Sequence, residues 1–172
     1  MPFLAHLATG AASKWVAPEA NVIGLVVAAE ALDLPHFPPV SLVVDVPLWV
    51  THGLTMAVVW SAAVALVMRL FRRSPRVCWT YGAVVFSHWV LDVIAHPMGA
   101  IMGDGSPQPA DLPLAFEGSP LVGLGLYNHS APLAYALEFG VTALGVAAYL
   151  WYRRRARVGA DASPDAAERA LT

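Results

Sequence analysis

Five stretches of the chain are apolar enough to form helices in a membrane, and polar or proline-rich segments separate them. They are residues 3–16, 21–34, 48–71, 77–96 and 132–152. The last three are long enough to cross a hydrocarbon core of about 30 Å, which takes about 20 apolar residues. The first two are shorter, and we expect tilted or re-entrant helices packed on the longer ones. The pattern predicts an all-α fold, a polytopic transmembrane helical bundle.

The segments between these stretches are predicted loops. Residues 35–47 contain four prolines and cannot form a continuous helix. Residues 98–131 are rich in Gly and Pro and are predicted to be a surface loop with a short helix. The end of the chain, 153–172, opens on three arginines and then becomes rich in Ala, Asp and Glu. We predict one integral-membrane domain over 1–152, followed by a disordered cytoplasmic tail.

Composition supports a membrane protein and excludes several other classes. Of the 172 residues, 58% are hydrophobic and only 13% are charged, whereas about a quarter of the residues in soluble domains are charged. The net charge of −2, with no basic stripe outside the membrane-flanking clusters, argues against a nucleic-acid partner. Cys78 is the single cysteine, so neither an internal disulfide nor a cysteine-based structural zinc site can form.

Basic residues are confined to three places, and their position predicts the topology. All ten Lys and Arg residues lie at position 14, within 69–76 or within 153–169. The positive-inside rule places these sites in the cytoplasm. The loops 35–47 and 98–131 then face the opposite side of the membrane.

This topology brings the ionisable residues of the apolar segments to one depth. His88, Asp92 and His96 are four residues apart, so a helix places them on one face. Such side chains are costly within a membrane and mark either a functional site or a buried pair. Eight of them are predicted to lie together toward the outer leaflet: His6, Glu30, Asp33, His52, His88, Asp92, His96 and Glu138.

Imidazoles and carboxylates without thiolates suit zinc, manganese or iron, and zinc is the metal that we predict. A His and an Asp at i and i+4 can bind one ion from one helix face. The predicted ligands are His6, Asp33, His52, His88 and Asp92. The predicted general acids or bases are Glu30, Glu138 and His96.

Three other roles for these side chains remain open at this point. A b-type haem can be held between His52 and His88, and a chain of His, Asp and Glu can form a proton or ion path. The plainest role is hydrogen bonding between helices. Beside these residues, His36 lies next to loop prolines and is predicted to face solvent.

Several short motifs occur at the same positions. They are His6-Leu7-Ala8-Thr9-Gly10, Asp33 at the close of the second segment, Thr51-His52, Ser87-His88-x-x-Leu91-Asp92-x-x-x-His96, and Gly123-Leu124-Gly125-Leu126-Tyr127-Asn128 with Glu138 after it. Over residues 4–152 the chain resembles the LexA-binding, inner-membrane-associated hydrolases, a family of small bacterial inner-membrane proteins. It departs from the family pattern at Gly53, where a Ser is usual, and in having no Arg before Thr51.

The resemblance implies a metal-dependent hydrolase of the bacterial inner membrane that acts on a lipid or another membrane-proximal ester. Together with the predicted site, it leads us to expect metal-activated water to hydrolyse a phosphoester or acyl ester in a lipid-like substrate. Membrane lipid is the expected partner, and the 98–131 loop is expected to cover the site. The alternative is a non-enzymatic membrane protein, either a haem- or metal-binding module or a structural bundle.

Overall fold

The computed structural model describes residues 3–95 and 112–161. These residues are mostly helical, which confirms the all-α prediction. The helices are α1 (Phe3–Ala12), α2 (Val22–Ala29), α3 (Leu48–His52), α4 (Leu54–Leu70), α5 (Pro75–Ala95), α6 (Leu126–His129) and α7 (Ala131–Asp161), with 3₁₀ turns at Ser13–Trp15, Leu34–His36 and Val40–Leu42. One antiparallel hairpin, β1 (Leu112–Pro113) and β2 (Leu121–Val122), pairs Leu112 with Val122 and Pro113 with Leu121.

Two of the described helices, α5 and the first 28 residues of α7 as far as Val158, are long and apolar enough to cross a membrane. The prediction of a third long span over 48–71 is wrong, because the helix is broken at Gly53. This residue is extended, with φ −67° and ψ 140°, and separates α3 from the 17-residue α4. A Cβ at Gly53 would lie 2.6 Å from the Trp49 carbonyl oxygen. A break of one residue leaves the apolar pattern intact, so hydropathy does not reveal it.

Helix α5 lies at the centre of the packing. It contacts α4, α2 and α1, and α1 lies in turn between α2 and α7. The main core forms where α2 and α5 meet, around Leu25, Leu32, Tyr81 and Val85. Helix α2 begins at Asn21, whose side chain accepts a hydrogen bond from the Gly24 amide and so caps the helix. The central position of α5 explains why the polar side chains near its end meet residues from several helices.

The last helix is longer than predicted. It continues beyond residue 152 to Asp161, so the first part of the predicted disordered tail is helical. Residues 162–172 of that predicted tail lie outside the described residues. Large apolar side chains on α7, including Leu133, Phe139 and Leu144, are exposed.

Basic residues from distant parts of the chain meet at one end of the bundle. Lys14 and Arg73 line the same cavity of about 710 Å³, and the Lys14 ammonium lies 5.9 Å from the centre of the Tyr152 ring. Arg155 lies over Trp151, with 4.0 Å between the guanidinium carbon and the ring centre. Along α1 and α5, the histidines of the predicted site are displaced from this end by roughly 12–18 Å at 1.5 Å per residue.

Close contact between α1 and α7 depends on Gly145, and we expect Gly145→Ala to lower the free energy of unfolding by about 1–3 kcal/mol. A Cβ at this position would lie 2.7 Å from the Ala8 carbonyl oxygen, so the helices would have to separate. Gly140→Ala on the same helix is the matched control, because its added Cβ has no neighbour within 4 Å among the described residues. Thermal unfolding in detergent measures both variants. Equal stability of the two would contradict this packing.

Candidate metal centre

The five side chains predicted to bind metal come together from four parts of the chain. Helix α1 contributes one, the turn after α2 another, α3 a third and α5 the last two. Each is at most 3% exposed: His6, Asp33, His52, His88 and Asp92. The ligand role itself remains a prediction, but the residues form one buried cluster, which we call the His/Asp cluster.

Asp92 is the residue that contacts most of the others. Its Oδ2 lies 3.2 Å from Nε2 of His88 and 3.3 Å from Nε2 of His52. Its Oδ1 lies 3.6 Å from Nε2 of His6. The two oxygens of one carboxylate therefore face different histidines.

Asp33 approaches the same rings from the turn that follows α2. Its Oδ1 lies 3.1 Å from Nε2 of His52 and 3.7 Å from Nε2 of His88. The Nε2 atoms of these two rings thus face oxygens of both Asp33 and Asp92. Such a set of nitrogens and oxygens directed at a common point is the arrangement in which a divalent cation binds.

The tautomer of His88 follows from the contact behind the ring. Its Nδ1 lies 2.7 Å from the Ala29 carbonyl oxygen, which can only accept a hydrogen bond, so Nδ1 is the donor. In the neutral ring the lone pair is then on Nε2, directed at the two carboxylates. A backbone carbonyl that fixes a histidine in this way is a common companion of a metal ligand.

The Thr51 side chain fixes the tautomer of His52. The Thr51 hydroxyl donates to the Leu48 carbonyl oxygen at 3.2 Å, so its oxygen is left to accept from Nδ1 of His52 at 2.7 Å and from Nε2 of His36 at 2.8 Å. The lone pair of neutral His52 is therefore also on Nε2. The prediction that His36 faces solvent is wrong, because this ring is half-buried and bonded to Thr51.

Two further contacts hold α3 in place beside α5. The indole of Trp89 donates from Nε1 to the His52 carbonyl oxygen at 3.0 Å, and that of Trp60 donates to the Val50 carbonyl oxygen at 2.9 Å. Both carbonyls lie at the end of a short helix, where no intrahelical donor is available. The hydrogen bonds anchor the backbone that carries His52.

Several buried polar atoms of the cluster and of the neighbouring Glu30 have no hydrogen-bond partner among the described residues. They are Nδ1 and Nε2 of His6, Oε1 and Oε2 of Glu30, and Nε2 of His88. For His88 the 3.2 Å contact with Asp92 is close enough for electrostatic attraction but lacks hydrogen-bond alignment. An unsatisfied buried polar group costs about 1–3 kcal/mol. Cation binding through one atom of each side chain would offset part of that cost.

Two overlapping groups in the described part of the chain could hold a metal ion. In each, one donor atom per residue lies within 4.8 Å of all the others. The first group is His52, His88 and Asp92, and the second is His6, Glu30, Asp33 and His88. The donors are nitrogen and oxygen without sulfur, which suits zinc, manganese or iron.

The three residues predicted as general acids or bases fall in different places. Glu30 lies beside the cluster, in the second group of possible ligands. Glu138 lies in neither group, and its Oε1 accepts a hydrogen bond from the Ala5 amide at 3.1 Å. It therefore caps the first turn of α1, where amides lack intrahelical partners. His96 lies outside the described residues.

Glu30 and Asp33 lie in the turn after α2, outside α5 and α7. Their pKa values are shifted in opposite directions. Burial raises the pKa of Glu30 to about 7. Burial would also raise the pKa of Asp33, but the contacts with the His52 and His88 rings outweigh it and hold this pKa below its usual range. A metal ligand of this kind must be ionised.

The cluster geometry does not fit a haem held by His52 and His88. Axial ligands of a haem lie on opposite faces of a porphyrin, which must fit between the two rings. Here both Nε2 atoms contact the same oxygen of Asp92, and the His6 ring lies 3.9 Å from that of His88, centre to centre. Carboxylates and a third ring occupy the space that a porphyrin would need.

We expect Thr51→Val to weaken metal binding by about 10–100-fold, the usual effect of losing a residue that orients a ligand. Valine keeps the shape but cannot accept hydrogen bonds from His52 and His36. Thr80→Val is the matched control, since Thr80 is also buried and, among the described residues, its hydroxyl bonds only to the Arg76 carbonyl of its own helix. Isothermal titration with zinc measures the affinities, and equal values for the two variants would contradict the orienting role of Thr51.

Comparison of the chain with protein-family models, curated proteins and solved structures finds no match. The resemblance to the LexA-binding, inner-membrane-associated hydrolases therefore stays a prediction based on the motifs alone. The cluster itself is the basis for inferring function.

Proposed function

We propose that this chain is a membrane-embedded, metal-dependent hydrolase that acts on a phosphoester or acyl ester bond in a lipid-like substrate. One observation carries the proposal: the buried Nε2 atoms of His52 and His88 are both directed at oxygens of Asp33 and Asp92. When the two rings are neutral, these nitrogens carry lone pairs that face the carboxylates. A divalent cation, most consistently zinc, resolves this arrangement.

Ring orientation favours a preorganised site over incidental contact between helices. Ala29 and Thr51 hold the rings of His88 and His52 from behind, in the tautomer that a metal requires. Helix–helix hydrogen bonding alone would pair each nitrogen with a donor or acceptor. It would not leave both nitrogens of His6 and both oxygens of Glu30 unpartnered among the described residues.

Hydrolysis needs an activated water and a group that takes its proton. A cation bound at the cluster lowers the pKa of a coordinated water and polarises a phosphoryl or carbonyl oxygen. Asp92 acts as a ligand, because its oxygens already face three histidines. Glu30 is the candidate proton acceptor, since both its oxygens are buried at the cluster and unpartnered among the described residues.

We place the protein in the bacterial inner membrane as a multi-pass protein, with its basic end in the cytoplasm. Helices α5 and α7 meet the length and composition of a span, and α7 exposes many large apolar side chains. Lys14, Arg73 and Arg155 meet at one end of the bundle, as the positive-inside rule requires. The His/Asp cluster then lies toward the opposite leaflet.

A lipid-like substrate suits a site at that depth. Part of the 98–131 loop is described, and it packs on the same end of the bundle as the cluster. The Leu124 amide donates to the Val93 carbonyl oxygen at 2.7 Å, one residue after Asp92, and the Thr55 amide donates to the Leu114 carbonyl oxygen at 3.0 Å. These contacts support a covering role for the loop. A headgroup in the outer leaflet can reach such a site more readily than a soluble polymer can.

The test is hydrolysis of a panel of phospholipids and acyl esters by the full chain in detergent. We expect the zinc-loaded protein to cleave at least one substrate, to lose activity on chelation and to regain it when zinc is restored. His129→Ala is the control, because His129 is exposed and outside the cluster, and it should retain activity. Metal binding without hydrolysis of any substrate would reject the enzyme in favour of a non-enzymatic metal-binding module.

A further inference from the structure

We propose that the His/Asp cluster binds two divalent cations, about 3.5–4 Å apart as in other two-metal sites, with the Asp92 carboxylate as a bridge between them. This inference deepens the proposed function and rests on it only in requiring that the cluster bind metal. The first cation lies among Nε2 of His52, Nε2 of His88 and Oδ2 of Asp92. The second lies among His6, Glu30 and Asp33, beside Oδ1 of Asp92.

The two oxygens of Asp92 point to different partners, as a bridging carboxylate requires. Oδ2 lies 3.2–3.3 Å from the Nε2 atoms of His88 and His52, whereas Oδ1 lies 3.6 Å from Nε2 of His6. A single cation bound among His52, His88 and Oδ2 would leave Oδ1 of Asp92 facing His6 with no bond between the two. A second cation between Oδ1 and His6 satisfies both.

His88 can bind only one of the two cations. The other cation must therefore be held by other residues. Its Nδ1 donates to the Ala29 carbonyl oxygen, so Nε2 is its single ligand atom. When that atom binds the first cation, the second group of possible ligands retains His6, Glu30 and Asp33. His6 and Glu30 are 1% and 5% exposed, and none of their side-chain nitrogens or oxygens has a partner among the described residues.

The separation of the His6 and His88 rings is consistent with two neighbouring cations. The centres of the His6 and His88 rings are 3.9 Å apart, with 32° between their planes. Two imidazoles at this separation, tilted by 32°, can bind two neighbouring cations, whose usual separation is about 3.5–4 Å.

Two cations would give the site a net positive charge, which indicates the substrate class. The three clustered carboxylates, Glu30, Asp33 and Asp92, contribute −3 when ionised. One divalent cation leaves −1, whereas two leave +1 in a buried site. An excess positive charge attracts an anionic group, so the inference favours a phosphoester over a neutral acyl ester. Glu30 can bind the second cation through one oxygen and still accept a proton with the other.

Metal stoichiometry of the full chain in detergent tests the inference directly. After removal of metal, the parent protein is titrated with Mn²⁺, and bound metal and its electron paramagnetic resonance spectrum are measured. We expect two equivalents and the spectrum of a spin-coupled pair. We expect His6→Ala and Glu30→Gln, the second nearly isosteric, to bind one equivalent with an uncoupled spectrum, while His129→Ala binds two.

The possible failures are distinguishable. If the parent protein binds one equivalent with an uncoupled spectrum, and Glu30→Gln still binds one, the two-cation inference is overturned and the proposed function stands. If the folded parent binds none, both are overturned. Two equivalents in the parent with no loss in His6→Ala or Glu30→Gln would place the second cation elsewhere and also overturn the inference.

Discussion

Asp92→Asn is expected to weaken metal binding at the cluster by more than about 100-fold, beyond the usual effect of changing a residue that only orients a ligand. Asparagine has nearly the same shape, so packing in α5 is kept. It loses the negative charge that faces three histidines, with contacts of 3.2–3.6 Å. Hydrolysis of any substrate that the parent cleaves should fall below detection, because activation of water depends on the bound cation.

Zinc titration and activity of the detergent-purified variant check this expectation, with thermal unfolding to confirm that it folds. Glu117→Gln is the matched control, since it also neutralises a carboxylate but at an exposed position in the loop. It should bind zinc as the parent does. A folded Asp92→Asn protein that binds zinc with unchanged affinity would show that the cluster is a structural contact between helices.

The second large effect is the sidedness of chemical labelling, which is expected to be all-or-none. Phe116 lies in the described part of the loop and is 62% exposed, and Val158 lies near the basic end of α7 and is 69% exposed. In cells, a membrane-impermeant maleimide should label Phe116→Cys without permeabilisation, because its loop faces outward. Val158→Cys should react only after permeabilisation.

Cys78 is buried and should contribute little background, and the parent chain measures it. Labelling of Val158→Cys but not Phe116→Cys in intact cells would invert the topology. The His/Asp cluster would then face the cytoplasm, and the proposal of a substrate from the outer leaflet would be wrong. Metal binding would not be affected by that outcome.

Convergence of the cluster could be predicted from the sequence because two simple regularities combine. Four-residue spacing places His88 and Asp92 on one face of a helix, and the structure shows them 3.2 Å apart. Basic residues are confined to three sites, which are placed on one side of the membrane. The segment ends without basic residues are then predicted to meet on the other side. His6, Asp33 and His52 therefore fall near α5 without any knowledge of side-chain contacts.

Contacts that orient the site were not predictable in the same way. His36 follows Asp33 by three residues, a spacing that returns a side chain to the same side of a helical turn, but the adjacent prolines suggested a loop. Its bond to Thr51 depends on the approach of α3, which in turn depends on the break at Gly53. Glu138 was predicted to be an acid or base because it is an ionisable residue within an apolar segment. Its contact with the Ala5 amide is a long-range feature that helix spacing does not encode.

Zinc, manganese and iron content of the parent protein, purified in detergent without chelator, tests the central claim most directly. Inductively coupled plasma mass spectrometry should find at least one of these metals per chain, and Asp92→Asn purified in the same way should contain none. A folded parent protein that contains no such metal, and binds none when titrated with zinc or manganese, would contradict a metal centre at the cluster.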